Sequence, residues 1–132
     1  MTTQERPSVL IVEDDRATRE MYEYALRMAG LTVVVANDGY AALRMIDQEV
    51  PDVIVLDLDL PHVSGMDVHE EVMAHAETRI TPVVVVTGTD WPMPASVFRI
   101  LRKPINSEML INAVMHALSS KDEPPSGPHR RP

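Results

Sequence analysis

The sequence predicts an α/β domain built around a five-stranded parallel sheet. Five short apolar runs rich in β-branched residues alternate with segments whose apolar residues mostly repeat at helical spacing. Four of the five runs are almost wholly apolar, a pattern typical of strands covered on both faces, as in a parallel sheet. The 132 residues are enough for one such domain and too few for two of ordinary size. We therefore expect a single doubly wound domain with helices on both faces of the sheet.

The predicted strands share an apolar, β-branched composition. Only the fifth is interrupted by a charged residue, Arg99. Parallel strands must be joined by crossover connections, which are right-handed and usually contain a helix. The five runs are Val9 to Val12, Val33 to Val35, Val53 to Leu56, Val83 to Val86 and Val97 to Leu101.

The first helical segment follows Asp15, whose carboxylate is a good N-cap, and ends at Gly30. The second runs from about Tyr40 to Glu49, and the third from about Met66 to Ala76. The last begins near Asn106 or Ser107. Residues predicted to face the core are Ala17, Met21, Tyr24, Ala25 and Met28 in the first segment, Ala41, Ala42, Met45 and Ile46 in the second, and Leu110, Ala113, Val114, Ala117 and Leu118 in the last.

The connection between the fourth and fifth strands departs from this alternation. Gly88 to Ser96 holds only nine residues, and two of them are Pro92 and Pro94, so no normal crossover helix fits there. This crossover helix, the fourth in order, is predicted to be short or missing. Residues 1–7 are an N-terminal lead, residues 8–118 the domain, and residues 119–132 a Pro, Ser and charge-rich tail that we predict to be disordered.

Composition excludes several classes of function. The net charge is -8, from 12 basic and 20 acidic residues, whereas nucleic-acid surfaces need clustered Lys and Arg, so direct DNA or RNA binding is not expected. The sequence has no cysteine, which excludes thiol redox chemistry and thiolate metal sites. No apolar run reaches 18 residues and the first residues lack a secretion signal, so we expect a soluble cytoplasmic protein with no membrane partner.

Polar residues follow the ends of four of the predicted strands. In open parallel sheets, ligands bind outside the carboxyl ends of the strands, and these residues would meet at that edge. Carboxylates from neighbouring strands suit Mg²⁺, which also accepts a phosphoryl oxygen, while a hydroxyl and an ammonium can bind a phosphoryl group. A carboxylate can also act as a nucleophile that forms an aspartyl phosphate. The residues are Glu13, Asp14 and Asp15 after the first strand, Asp57 after the third, Thr87 after the fourth and Lys103 after the fifth.

Four segments carry a resemblance to a known family. VLIVEDD, PDVIVLDLDLPHVSG, PVVVVTG and RKP, in this order and spacing, resemble the signature segments of response-regulator receiver domains, and the resemblance covers roughly Ser8 to Leu118. It implies a flavodoxin-like sheet with strand order 2-1-3-4-5. It also implies a two-component signalling switch that receives a phosphoryl group from a sensor histidine kinase or a histidine phosphotransfer protein, and then signals through contacts with a downstream protein. Such domains also catalyse their own phosphoryl transfer and dephosphorylation.

The resemblance implies a role for each site residue. Glu13 and Asp14 would be the acidic metal pair, Asp57 the phosphoacceptor and a metal ligand, and the backbone carbonyl of Asp59 a further ligand to Mg²⁺ or Mn²⁺. Thr87 would be the switch hydroxyl and Lys103 would contact the phosphoryl group. Pro61 and Gly65 match the family's turn after the phosphorylated strand, and Gly88 stands where the family has a small residue. The oligomeric state, monomer or homodimer, is left open.

One region differs from the family pattern. From Thr87 to Lys103 the chain spans 16 positions (103 minus 87), several fewer than in typical receivers. Ile100 occupies the position, three before the lysine, that often holds an aromatic switch residue. Phe98 and Trp91 are the aromatic residues that could replace it.

Other readings of the same residues stay open. Glu13 to Asp15 could simply favour a helix N-terminus through its dipole. Asp57-Leu58-Asp59 also resembles the DxD motif of haloacid-dehalogenase-type phosphatases, although nothing acidic except Glu108 follows Lys103 within the fold. A pseudo-receiver, a binding module that takes no phosphoryl group, is a third alternative. The five histidines lack zinc-site spacing and are predicted to lie on helix surfaces or in the tail.

Overall fold

The computed structural model describes residues 6–90 and 94–120, and nine elements follow one another along them. All neighbouring strands pair in parallel, and the sheet order is 2-1-3-4-5. This confirms the predicted α/β class, the strand order and the placement of helices on both faces. The elements are β1 Ser8–Val12, α1 Arg16–Met28, β2 Thr32–Ala36, α2 Gly39–Gln48, β3 Val53–Asp57, α3 Gly65–Ala74, β4 Val83–Thr87, β5 Arg99–Arg102 and α4 Ser107–Ser120.

The core has two layers, one on each face of the sheet. Alternate residues of the buried strands point to opposite faces, so neighbours in sequence contribute to different layers. Tyr22 and Leu26 of α1 and Leu110 and Val114 of α4 pack on one face against Val9, Ile11, Val55 and Val86. On the other face, α2 and α3 pack against the alternate residues of the strands. The helix residues are Ala42, Ile46, Val68 and Val72, and the strand residues are Leu10, Val12, Ile54 and Val85.

Side-chain N-caps begin several helices, and the one at Asp15 was predicted from the sequence. Asp15 is the N-cap of α1, where its carboxylate accepts a hydrogen bond from the Thr18 backbone N–H at 2.9 Å. Ser64 caps α3 in a capping box with Asp67. The third helix runs from residue 65 to 74 rather than 66 to 76, and the last continues to residue 120 rather than ending at 118. The predicted disordered tail otherwise lies outside the described residues.

The predicted apolar stripe of α1 was wrong. Met21, Tyr24 and Met28 are exposed, and the buried face instead carries Tyr22 and Leu26. Ala25 lies on both stripes and is buried, whereas Ala17 is exposed. Two apolar stripes share this helix, and only contact with the sheet selects the one that carries its single leucine. The inward faces predicted for α2 and α4 are buried or partly buried.

Two strand predictions also need correction. β2 was expected to be covered on both faces, but it is an edge strand in which Thr32 and Val34 are exposed. β5 begins at Arg99 rather than at Val97 and is exposed except for Leu101. Both strands lie at the edges of the sheet, where the flanking helices cover less of each face.

The connection between β4 and β5 contains no helix among its described residues, 88–90 and 94–98, as predicted. Ile100 pairs with Val85, whose side chain belongs to the α2 and α3 layer, so Ile100 points to the face where the crossover helix would lie. Its side chain is 42% exposed there. Within the described part of the chain, no helix is long and apolar enough to cross a membrane.

Candidate functional site

Four strand ends bring the predicted site residues to one edge of the sheet. Glu13 and Asp14 follow β1, Asp57 ends β3 and Thr87 ends β4. Because the strands are parallel and in register, with Asp57 beside Val86 and Thr87 beside Arg102, their carboxyl ends finish at nearly the same level. Lys103 follows β5 directly, and its backbone N–H donates to the Thr87 carbonyl at 2.9 Å, which extends the ladder by one residue.

Three carboxylates form an acidic cluster at this edge. Each of Glu13, Asp14 and Asp57 offers an oxygen atom, and these oxygens lie within 4.8 Å of one another. Glu13 and Asp57 are 1% and 3% exposed, whereas Asp14 is open to solvent. The cluster is therefore buried on the sheet side and accessible on the Asp14 side.

Backbone groups orient two of these carboxylates. The Asp15 N–H donates to Oε2 of Glu13 at 3.1 Å, and the Asp59 N–H donates to Oδ1 of Asp57 at 3.1 Å. Oε1 of Glu13 and Oδ2 of Asp57 accept neither of these two hydrogen bonds.

Lys103 is the cation of the site. Its Nζ lies 3.2 Å from Oε1 of Glu13 and 3.6 Å from Oδ2 of Asp57. Partial burial of the ammonium lowers the pKa of Lys103, but the facing carboxylates of Asp57 and Glu13 outweigh this and raise it above its ordinary value. Lys103 therefore stays charged and partly neutralises the acidic cluster.

Asp57 has a strongly perturbed pKa. Burial of the carboxylate and the neighbouring negative charge of Glu13 raise its pKa to about 7, against the opposing effects of the Asp59 N–H and Lys103. Burial and repulsion both disfavour the charged form, so a further cation beside Asp57 would stabilise the carboxylate.

The donor set fits a hard divalent cation. Mg²⁺ prefers oxygen ligands and is usually bound by one or two carboxylates together with waters and substrate phosphates. Glu13, Asp14 and Asp57 supply such oxygens close together, with solvent on one side. The further ligand predicted from the Asp59 carbonyl stays a prediction.

Thr87 is 2% exposed, and its hydroxyl is engaged by a residue that the sequence analysis did not select. Its Oγ1 accepts from the Thr89 backbone N–H at 3.1 Å and lies 3.2 Å from both the carbonyl oxygen and Oγ1 of Thr89. Thr87 itself carries the sequence signal for such a turn, because a threonine hydroxyl can bond to the backbone two residues further along the chain.

The loop after β3 holds Asp57 in place. A Cβ added to Gly65 would lie 2.4 Å from the Asp57 carbonyl oxygen and 2.6 Å from the Leu58 Cα. The Gly65 N–H donates to the Leu58 carbonyl at 3.2 Å, so α3 begins directly against the backbone of the site. Gly88 has open space at the same position, and its small size is not required by the described residues.

Arg19 is a second residue that the sequence analysis missed. Its guanidinium donates from α1 to the carbonyl oxygens of Glu13 at 3.1 Å and Asp14 at 3.4 Å. It therefore ties the backbone of the acidic pair to the helix that follows it. An arginine one turn into a helix carries no distinctive signal in a single sequence.

Three predictions concerned residues near the missing crossover helix. His69 was expected at a helix surface, but it is 3% exposed, with its Nε2 3.3 Å from the Ser96 Oγ. That prediction was wrong because α3 and the connection before β5 close over the ring. Phe98 packs on the α1 and α4 side, with its ring 5.2 Å from that of His116, rather than beside Ile100. Trp91 lies outside the described residues.

Comparisons with known proteins agree with this fold. The family model described as "Response regulator receiver domain" matches residues 9–115. A response regulator named MprA, from Mycobacterium sp. (strain KMS), is 33% identical over 126 residues, which cover 91% of this chain and 54% of that protein. MprA of Mycobacterium ulcerans (strain Agy99) is 38% identical over 82 residues, covering 62% of this chain and 34% of that protein. The chain spans about half, or less, of the length of these relatives.

Solved structures give the same result. The chemotaxis response regulator CheY4 of Vibrio cholerae superposes with a TM-score of 0.79 at 28% identity, covering 86% of this chain and 99% of CheY4. A response regulator receiver domain protein from Clostridium thermocellum superposes with a TM-score of 0.80 at 25% identity, covering 88% of this chain and 97% of that one. The resemblance of the fold therefore extends over nearly the whole of both neighbours.

Proposed function

The chain belongs to the response regulator receiver domain family, and on that premise we propose that it is a phosphorylation-dependent switch with Asp57 as its phosphoacceptor. The observation that carries the proposal is the setting of Asp57. Its carboxylate is almost completely buried, faces the Lys103 ammonium, and shares a cluster of oxygens with Glu13 and Asp14. Burial of a carboxylate among other carboxylates destabilises the folded protein, and a metal ion bound at the site would offset this destabilisation.

The proposed reaction transfers a phosphoryl group from a phosphohistidine to Asp57. A carboxylate oxygen of Asp57 attacks phosphorus while the bond between phosphorus and the donor's imidazole nitrogen breaks. The nitrogen keeps the electron pair of that bond, and Asp57 becomes an acyl phosphate. Mg²⁺ supplies charge neutralisation and orientation when it is bound. Attack of water on the same phosphorus would later release inorganic phosphate and restore the carboxylate.

Each neighbouring side chain has a role that follows from its chemistry. Glu13, Asp14 and Asp57 would hold the cation, together with the backbone carbonyl of Asp59. Lys103, already 3.6 Å from Asp57, would bind a phosphoryl oxygen as a point charge. Thr87 would donate its hydroxyl hydrogen to another phosphoryl oxygen, and this requires the hydroxyl to leave Thr89.

The partners follow from the family. Receiver domains act with histidine kinases or histidine phosphotransfer proteins, and we propose one of these as the phosphodonor. The output would be a change in affinity for a downstream protein, because phosphorylation alters charge and hydrogen bonding at one sheet edge. The exposed Ile100 face offers an output surface different from that of receivers with a full crossover helix.

Phosphorylation by a small-molecule donor tests the proposal. The protein is incubated with acetyl phosphate and Mg²⁺ and its intact mass is measured. We expect a gain of one phosphoryl group, lost in Asp57→Asn and in the presence of a chelator. Asp59→Asn is the matched control, because it makes the same chemical change at an exposed position two residues away.

Other outcomes favour the alternatives. Absence of any mass gain in the unmodified protein, with no transfer from a cognate kinase either, would favour a pseudo-receiver. Repeated Mg²⁺-dependent turnover of a small phosphomonoester would instead favour a haloacid-dehalogenase-type phosphatase built on Asp57 and Asp59.

A further inference from the structure

Helix α1 carries an apolar stripe that the sheet does not cover. Met21, Tyr24 and Met28, called here the outer stripe, are spaced as neighbours on one helix face and are 41%, 69% and 70% exposed. The core uses another face of the same helix, which carries Tyr22 and Leu26. Single apolar residues on a surface are ordinary, whereas a contiguous exposed patch marks a site of contact with another molecule. The outer stripe is such a patch.

The outer stripe lies on the flank of α1 that faces α4. The opposite flank faces β2, because the Arg27 guanidinium there donates to the Val33 carbonyl at 2.8 Å. On α4, the ring of His116 lies beside Phe98, just before β5, so the other flank of α4 faces α1. That flank carries Met115, which is also exposed. The apolar surface therefore continues from α1 towards α4.

The pattern of α1 is complementary to an antiparallel copy of itself. Met21 and Met28 lie three residues before and four residues after Tyr24. Glu20 and Arg27, both exposed, lie four before and three after Tyr24, and at this spacing they border it on the helix surface. A twofold axis at Tyr24 would therefore bring Met21 against Met28 of the other copy. The same axis would bring the Glu20 carboxylate towards the Arg27 guanidinium of that copy.

We propose that the outer stripe is a dimerisation surface, in which α1 packs antiparallel against α1 of a second copy of this chain. The existing partners of the border charges do not oppose this arrangement. Glu20 pairs with Arg16 at 2.9 Å and Arg27 with Glu23 at 3.0 Å, and both are exposed pairs within one helix. Such pairs contribute little to stability, so their charges remain available to a partner.

The size of the surface predicts a weak dimer. A standard interface buries about 800 Å² on each partner, and the outer stripe with Met115 supplies only part of that area. We therefore expect a concentration-dependent dimer with a dissociation constant in the micromolar range. The outer stripe begins beyond the first turn of α1, so dimerisation would leave the acidic cluster open to solvent and does not depend on phosphorylation of Asp57.

Oxidative cross-linking tests the position of the twofold axis. The sequence contains no cysteine, so a single introduced cysteine reports only on contact with the same position of another copy. In Tyr24→Cys the two thiols would meet at the axis, and mild oxidation should give a covalent dimer on a non-reducing gel. Tyr40→Cys is the matched control, because Tyr40 is an exposed tyrosine at the start of α2. Equal cross-linking of the two variants, or none in Tyr24→Cys, would overturn the proposed interface.

A charge-exchange experiment tests the pairing across the axis. Sedimentation equilibrium is measured for the wild-type protein, Glu20→Arg, Arg27→Glu and an equimolar mixture of these two variants. Each variant alone places like charges at both border contacts and should dimerise about tenfold more weakly than the wild-type protein. The mixture should regain dimerisation close to the wild-type level, because both border contacts of a mixed dimer join opposite charges. Misfolding of a variant cannot produce this recovery.

Two further variants complete the sedimentation experiment. Tyr24→Asp should be monomeric, since it brings two carboxylates together at the axis, whereas Tyr40→Asp should dimerise like the wild-type protein. A wild-type protein that stays monomeric into the millimolar range overturns the proposal and assigns the outer stripe to a different partner. A mixture of the two charge variants that dimerises no better than either one alone overturns the antiparallel pairing.

Discussion

The Asp57 charge is buried beside a second buried carboxylate, Glu13, and one ammonium cannot fully compensate both. Lys103 lies closer to Glu13, at 3.2 Å, than to Asp57, at 3.6 Å. The imbalance agrees with the raised pKa of Asp57, about 7, and makes its carboxylate a source of instability in the folded protein without a metal ion. The proposed phosphoacceptor is therefore a residue whose charge the fold accommodates poorly.

Because the charge of Asp57 is poorly compensated, we expect the stability of the metal-free protein, measured in the presence of a chelator, to depend on pH. The pKa of Asp57 is higher in the folded state, about 7, than its ordinary value of 3.8, so the folded state binds the proton more tightly. The contribution of Asp57 to stability is thus fully present below its ordinary pKa and is lost as the pH rises through about 7. Asp57→Asn should remove this loss and stabilise the metal-free protein by roughly 1 to 3 kcal/mol at alkaline pH.

Urea unfolding at several pH values checks this prediction. The free energies of unfolding of the wild-type protein and Asp57→Asn should diverge with rising pH. Asp59→Asn serves as the control, since its side chain is exposed and should leave the wild-type slope unchanged. Parallel curves for the wild-type protein and Asp57→Asn would show that burial does not perturb Asp57 as described.

Helices α1 and α3 position the site residues by contacting the backbone at the ends of β1 and β3. The first turn of α3 lies against the backbone of Asp57 and Leu58, and only a glycine fits at residue 65. α1 holds the acidic pair through Arg19, which binds the Glu13 and Asp14 carbonyl groups. Two helices from opposite faces of the sheet thus fix the residues of one edge.

The close contact of Gly65 with the backbone of Asp57 and Leu58 predicts that one added methyl group lowers the stability of the protein. In Gly65→Ala the new Cβ would overlap the Asp57 carbonyl and the Leu58 Cα, so backbone must move. We expect a loss of roughly 1 to 3 kcal/mol in the free energy of unfolding, a size typical of overpacking, together with slower phosphorylation of Asp57. Gly88→Ala is the matched control, because its Cβ enters open space, and its free energy of unfolding should stay near the wild-type value. Denaturant unfolding that shows equal stability for both variants would contradict the assigned contact.

At the scale of the whole molecule, the parallel sheet gathers carboxylates at one edge of a chain whose net charge is already -8. Repulsion among these groups opposes folding, and a cation bound only by the folded protein would offset it. The connection between β4 and β5 leads into a different kind of surface around Ile100. The apolar side chain of Ile100 is exposed there, on the face where a crossover helix would lie. Binding of the cation and output to a partner would therefore use different parts of the same sheet edge and its neighbouring face.

The acidic cluster predicts that binding of Mg²⁺ stabilises the folded protein. Mg²⁺ at about a hundredfold above its dissociation constant should raise the free energy of unfolding by about 2.7 kcal/mol, whereas Na⁺ at matched ionic strength should not. Glu13→Gln should weaken this effect, and Glu20→Gln, an exposed change on α1 outside the cluster, should preserve it. Thermal unfolding of the three proteins with and without Mg²⁺ measures the linkage. Equal stabilisation of Glu13→Gln and the wild-type protein would place the cation elsewhere.

The sequence by itself determined the class of fold, the number of strands and their positions along the chain, the lack of a helix in the described part of the connection between β4 and β5, and the residues at the strand ends. These features depend on local composition, since a buried parallel strand must be apolar and a nine-residue connection with two prolines is too short for a helix. For the same reason the N-cap at Asp15 could be predicted, because it depends on residues only three positions apart.

Tertiary structure decided the rest. The buried stripe of α1, the exposure of β2 and the burial of His69 depend on which surfaces meet, and a single sequence holds two acceptable stripes for α1. The raised pKa of Asp57 depends on the burial of its carboxylate and on the nearby charge of Glu13, which composition does not specify. Local patterns could therefore name the residues of the site, but only packing decided their burial and the charges that face them, because Glu13, Asp57 and Lys103 come from segments distant in sequence.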